Sequence, residues 1–156
     1  MTDAAELSPF DFAQEIERVF CDAAHGRASI VKEVDAHGVI WVVMTPHNPA
    51  SAPAEARIDG PNAQLTIGEG ATFEFPYWSA RSTFDKQCLS DIADLVSAVV
   101  RGEVREWGDA RNLQFAHRSG ASIGEGRNRV ETGRQSLFTW PWRKRQNFTR
   151  TYEAYR

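Results

Sequence analysis

The chain is short of the residues that usually announce chemistry. Its 156 residues contain two cysteines, Cys21 and Cys88, and neither has a neighbouring cysteine at metal or redox spacing. That excludes a disulfide-stapled scaffold and a Cys-x-x-Cys centre. Both fall in helix-like segments and are expected to be buried thiols in a reducing compartment. His-Glu-x-x-His and Gly-x-Ser-x-Gly are also missing, so zinc-protease and nucleophile-elbow chemistry have no sequence support. The longest apolar run, VIWVVM at 39–44, is far below the roughly 20 residues of a membrane helix. The opening MTDAAELSPF has neither a basic n-region nor an apolar h-region. These absences lead us to expect a soluble cytoplasmic protein with no membrane partner, no metal and no cofactor. The acceptor pattern Asn147-Phe-Thr149 then has no secretory compartment to act in.

What is present describes an ordinary globular domain: 42% hydrophobic and 25% charged residues. A chain of this length is expected to fold as a single domain, residues 1–156. The net charge of −3 conceals a division along the chain. Residues 1–103 carry 7 Lys and Arg against 16 Asp and Glu, a balance of −9, and residues 104–156 carry 11 against 5, a balance of +6. Such polarity favours a charged partner.

Two amphipathic helices are predicted. The first, over about residues 9–25, has Ser8 as N-cap, Pro9 at the first helical position and Asp11 completing a capping pattern. Phe12, Ile16, Val19, Phe20 and Ala23 make its apolar face, and Gly26 is expected to supply the left-handed stop. The second begins at Ser82 with Asp85 behind it, buries Phe84, Cys88, Leu89, Ile92, Leu95, Val96 and Val99, and ends at Gly102.

The region between the helices alternates and turns as an antiparallel meander does. ASIVKEV and VIWVVM flank Ala36-His37-Gly38; EARI and AQLTI flank Asp59-Gly60-Pro61-Asn62; LTI and ATFEF flank Gly68-Glu69-Gly70. PHNPASAP (46–53) is the expected long loop. Beyond the second helix, VREW and LQFAHR read as strands around Gly108-Asp109. Residues 119–136 have few apolar side chains and read as either a hairpin with a weak core face or a mobile loop. The fold class is therefore α+β: a mainly antiparallel sheet packed by two helices.

Gly-Glu-Gly occurs twice, at 68–70 and 124–126, preceded each time by an isoleucine. Neither copy leads from a strand into a helix and neither is followed by Gly-Lys-Ser/Thr, so both read as turns and not as phosphate cradles. Of the histidines, His25 sits at a helix C-terminus where the dipole favours it, while His37 and His47 belong to a turn and a loop. Glu69 and Glu74 read as solvent-side residues, and the case for an enzyme is weak.

Aromatic residues are the stronger lead. Tyr77-Trp78 leads, because Phe73, Phe75, Tyr77 and Trp78 crowd the end of one strand and some of these rings must be more than the core needs. Phe138, Trp140 and Trp142 are followed by Arg143-Lys144-Arg145 and then Phe148, Arg150, Tyr152 and Tyr155. That interleaving suits an edge strand, a protein-partner surface, or a single-stranded nucleic-acid site that stacks bases and tracks phosphates. The expected contact residues are Glu69, Tyr77, Trp78, Trp140, Trp142 and Arg143.

The order of helix, meander with LTIGEGATFEFPYW, and amphipathic helix FDKQCLSDIADLVSAVVRGEVREW resembles small uncharacterised bacterial proteins, among them immunity proteins encoded beside polymorphic toxins. The resemblance covers about residues 63–107 and carries no catalytic residue across. It implies a non-catalytic cytoplasmic inhibitor that binds one toxin domain. The acidic first half would suit a basic, nucleic-acid-degrading toxin. The alternative is a nucleic-acid-binding module built on the C-terminal segment.

Overall fold

The computed structural model describes residues 8–76, 82–109, 118–135 and 147–156. The first helix, α1 (Pro9–Ala24), starts as its sequence dictates: the Asp11 amide donates to Ser8 Oγ at 3.1 Å, and Ser8 Oγ donates to the Asp11 carboxylate at 2.6 Å. Its buried side is Phe12, Ala13, Ile16, Phe20 and Ala24. Burying a ring or branched side chain of this kind contributes about 1.5–3 kcal/mol. The helix is stopped by His25, which takes the left-handed conformation (φ 48°) before Gly26 does (φ 75°). Histidine is among the few residues enriched there, so the expected glycine stop is displaced by one position. Cys21 is exposed, against expectation. It follows buried Phe20 by one residue, about 100° around the helix, and so leaves the core-facing stripe.

Five strands follow: β1 (Ala28–Val34), β2 (Ile40–Pro46), β3 (Ala54–Asp59), β4 (Asn62–Ile67) and β5 (Ala71–Pro76). They form one antiparallel sheet in the order β1-β2-β3-β4-β5, the meander expected from the turns. Alternation buries Ile40, Val42, Met44, Ala54, Ala56, Ile58, Ala63, Leu65, Ile67 and Ala71 on one face. Lys32 lies on that same face of edge strand β1, opposite Val42, and reaches out to pair with Glu17 of α1 beside the Phe10 ring. An inward-facing charge on an edge strand discourages pairing with another chain.

The second helix, α2 (Ser82–Val100), buries Cys88, Ile92, Leu95, Val96, Ala98, Val99 and Val100. Past its end Gly102 turns left-handed (φ 77°) and donates to the Val99 carbonyl at 2.9 Å, while the Glu103 amide donates to the Ala98 carbonyl at 2.9 Å. A Cβ at Gly102 would sit 2.4 Å from the Ala154 nitrogen, so the chain's C-terminal backbone packs directly on this turn.

A second antiparallel sheet, β8-β7-β6-β9, is built from β6 (Val104–Gly108), β7 (Arg118–Ile123), β8 (Val130–Gln135) and β9 (Phe148–Thr151). VREW is thus a strand, while LQFAH lies outside the described residues. Residues 118–135 form the β7–β8 hairpin, with Ile123 paired to Val130 and the second Gly-Glu-Gly in its turn. Both sheets feed one hydrophobic cluster that includes Phe12, Met44, Leu65, Val96, Ile123 and Tyr155. The loop at 47–53 is part of that cluster: Ser51 and Ala52 are buried, Ser51 Oγ donates to the Ala154 carbonyl at 3.1 Å, and Tyr155 Oη donates to the Ala52 carbonyl at 2.6 Å. The C-terminal residues therefore pin the loop.

Candidate partner-binding cleft

The first Gly-Glu-Gly turn is fastened to the second sheet by Glu106. Glu106 is 1% exposed, and its Oε1 accepts from the Glu69 amide at 2.9 Å and the Gly70 amide at 3.1 Å. Its Oε2 accepts from the Tyr152 hydroxyl at 2.5 Å. The turn's amides do hold an anion, but the anion is the protein's own carboxylate. Burial, and after it the bond to the Glu106 carboxylate, pushes the Tyr152 phenol well above its ordinary range. Through these three bonds Glu106 ties the β4–β5 turn of the first sheet to β6 and β9 of the second.

Of the six residues expected to contact a partner, Glu69 is described. Its side chain is partly exposed at the tip of the β4–β5 turn and pairs with Arg150 of β9. Tyr77, Trp78, Trp140, Trp142 and Arg143 lie outside the described residues. The described part of the aromatic and basic C-terminal segment is engaged in the fold: Tyr155 is 2% exposed, Tyr152 is held by Glu106, and Arg150 by Glu69. Burial raises the Tyr155 phenol as well.

A cleft of about 630 Å³ lies between β5, the second half of α2 and the closed end of the β7–β8 hairpin. Alternation along β5 turns Phe73 and Phe75 into this cleft, where they join Leu95, Ala98, Ile123 and Val130 as an apolar floor. Both rings are partly buried and pack against the core cluster. The rim is acidic. Asp91 and Asp94, one helical turn apart, come from α2; Glu103 follows the helix; Glu125 is the acid of the second Gly-Glu-Gly. Among the described lining residues, the cation that stands against these four carboxylates is Arg101.

Arg101 is already committed. Its Nε and Nη2 donate to the two oxygens of Glu103 at 2.7 and 2.9 Å. The Glu103 bond, helped by the charges of Glu125 and Asp94, pushes the Arg101 guanidinium above its ordinary range, and the same bond holds Glu103 below the usual carboxylate range. Asp91 accepts from Gln87 at 2.8 Å. Among the described residues, neither Asp94 nor Glu125 makes an ion pair. Glycines at φ 86° (Gly124) and 61° (Gly126) shape the turn that carries Glu125, and the Gly124 amide donates to the Glu103 carbonyl at 2.9 Å.

Cys88 is buried, and no group of three or more His, Cys, Asp or Glu residues among those described could hold a metal ion. No described helix is long and apolar enough to cross a membrane. The architecture defines the chain as an α+β protein with two antiparallel sheets sharing one core. No family model matches it, and no curated protein matches it in sequence.

Proposed function

We propose that the chain is a non-catalytic binding protein, an immunity-type inhibitor that works in the bacterial cytoplasm by docking on a basic toxin domain. The observation that carries this reading is the cleft: an apolar, partly aromatic floor under an acidic rim whose negative charge exceeds what Arg101 neutralises. Apolar contact supplies affinity in such a site, and complementary charge supplies rate and selectivity. A toxin that degrades nucleic acid is basic where it meets its substrate, so an acidic surface both attracts it and competes with that substrate. The nucleic-acid-binding alternative is less favoured, since the cleft repels phosphates and Tyr152 and Tyr155 are occupied within the fold.

Co-expression with the product of the adjacent reading frame, followed by affinity capture and sizing, should yield a stable 1:1 complex. Recovery of free monomer or self-oligomer alone would count against the proposal.

A further inference from the structure

We propose that the cleft is a receptor for an arginine side chain, taking a partner's guanidinium over Phe73 and Phe75 and sharing it between Asp94 of α2 and Glu125 of the β7–β8 turn. This rests on the reading of the chain as a protein-binding domain and names what its cleft recognises.

Four observations converge on it. The space, about 630 Å³, has ample room for a guanidinium together with the backbone segment that carries it. The cleft's own cation is used up, because Arg101 is held by both oxygens of Glu103, which leaves the negative rim in excess. Asp94 and Glu125 come from different elements, make no ion pair among the described residues, and line the same cleft. The floor beneath them is apolar and carries two phenyl rings.

The last point selects arginine over lysine. An ammonium is compact and strongly hydrated, and an apolar floor would strip its water without replacing the hydrogen bonds. A guanidinium is flat and weakly hydrated; its faces stack on aromatic rings while its in-plane donors reach two carboxylates at once. Arg101 and Glu103 already show the in-plane, two-bond mode at the cleft's edge.

The test uses the full chain, isotopically labelled, titrated at low salt with a blocked peptide carrying two arginines separated by glycine. Matched peptides with lysine or with citrulline, which keeps the shape without the charge, serve as comparators. The arginine peptide should shift the amide resonances of Asp94, Ser97 and Glu125, the lysine peptide should bind several-fold more weakly, and citrulline should not bind. Asp94→Asn combined with Glu125→Gln should weaken arginine binding by at least about tenfold. An unchanged melting temperature would show that the double variant folds. Equal binding of the arginine and lysine peptides, shifts confined to other surfaces, or an unaffected double variant would each overturn the proposal.

Capture of the adjacent gene product separates this idea from the broader one. If that partner is retained by the wild type and equally by the Asp94→Asn, Glu125→Gln variant, the arginine site fails and the inhibitor reading stands. If no partner is captured while the peptide binds as described, the site stands and the inhibitor reading fails.

Discussion

Gly68 and Glu106 approach each other so closely that a Cβ on the glycine would lie 2.8 Å from the carboxylate carbon. The backbone of Gly68 is also left-handed, at φ 65°. One glycine thus satisfies two demands: a tight turn between β4 and β5, and room for the buried acid that ties that turn to β6 and β9.

Gly68→Ala should therefore be much more costly than Gly70→Ala. The first imposes left-handed strain and displaces Glu106, about 2–4 kcal/mol together. The second adds a methyl with nothing within 4 Å and should cost less than about 1 kcal/mol. Denaturant unfolding of the two variants measures the difference, and equal losses would refute the tie.

Tyr152→Phe removes the donor to Glu106 Oε2 and should destabilise by about 1–3 kcal/mol. Glu106→Gln keeps an oxygen for the two turn amides and should cost about 1–2 kcal/mol. Because the two residues share one bond, the double variant should lose less than the two losses added, with a coupling of at least about 0.5 kcal/mol. Simple additivity would mean that the phenol and carboxylate do not interact.

Alkaline pH should unfold the protein through its two tied phenols. Burial raises Tyr155, and burial followed by the Glu106 bond raises Tyr152, so each folded-state pKa lies above the unfolded value of about 10. Their contribution is fully present below about pH 10. Above it the unfolded chain ionises first, binds fewer protons than the native one, and stability falls by about 1.4 kcal/mol per pH unit for each phenol. Unfolding curves between pH 9 and 11.5 should show this slope, and Tyr155→Phe should reduce it by about half. A flat profile would contradict the assignment.

The cysteines should differ sharply in reactivity. Cys21 is exposed and should react with a thiol reagent in the native protein, whereas Cys88 is 4% exposed and should react on the timescale of opening. Mass spectrometry after timed labelling reads both, and fast labelling of Cys88 in native buffer would contradict the packing of α2.

Much of the fold was legible because local rules govern it. Ser8, Pro9 and Asp11 mark a helix start by hydrogen-bonding chemistry that involves no distant residue. The glycines at 38, 60 and 68 mark turns by their access to positive φ. The cleft was hardly legible. The crowded rings at the end of β5 pointed to Tyr77 and Trp78 and not to Phe73 and Phe75, and Asp91 and Asp94 look like the solvent side of any amphipathic helix. Glu106 does carry a signal: in VREWG it alternates with Arg105 and Trp107 and shares a face with Val104, which alternation marks as inward.

The sequence by itself determined the local elements, the meander and its turns, since propensity, period and capping act within a few residues of the chain. The tertiary structure alone decided which turn amides meet Glu106, that two Gly-Glu-Gly segments of like backbone chemistry sit in different surroundings, and that acids from α2 and the β7–β8 turn line one cleft with Phe73 and Phe75. Those pairings join residues tens of positions apart. Charge and hydrogen-bond capacity along the chain say that each group needs a partner, and only packing selects which one it meets.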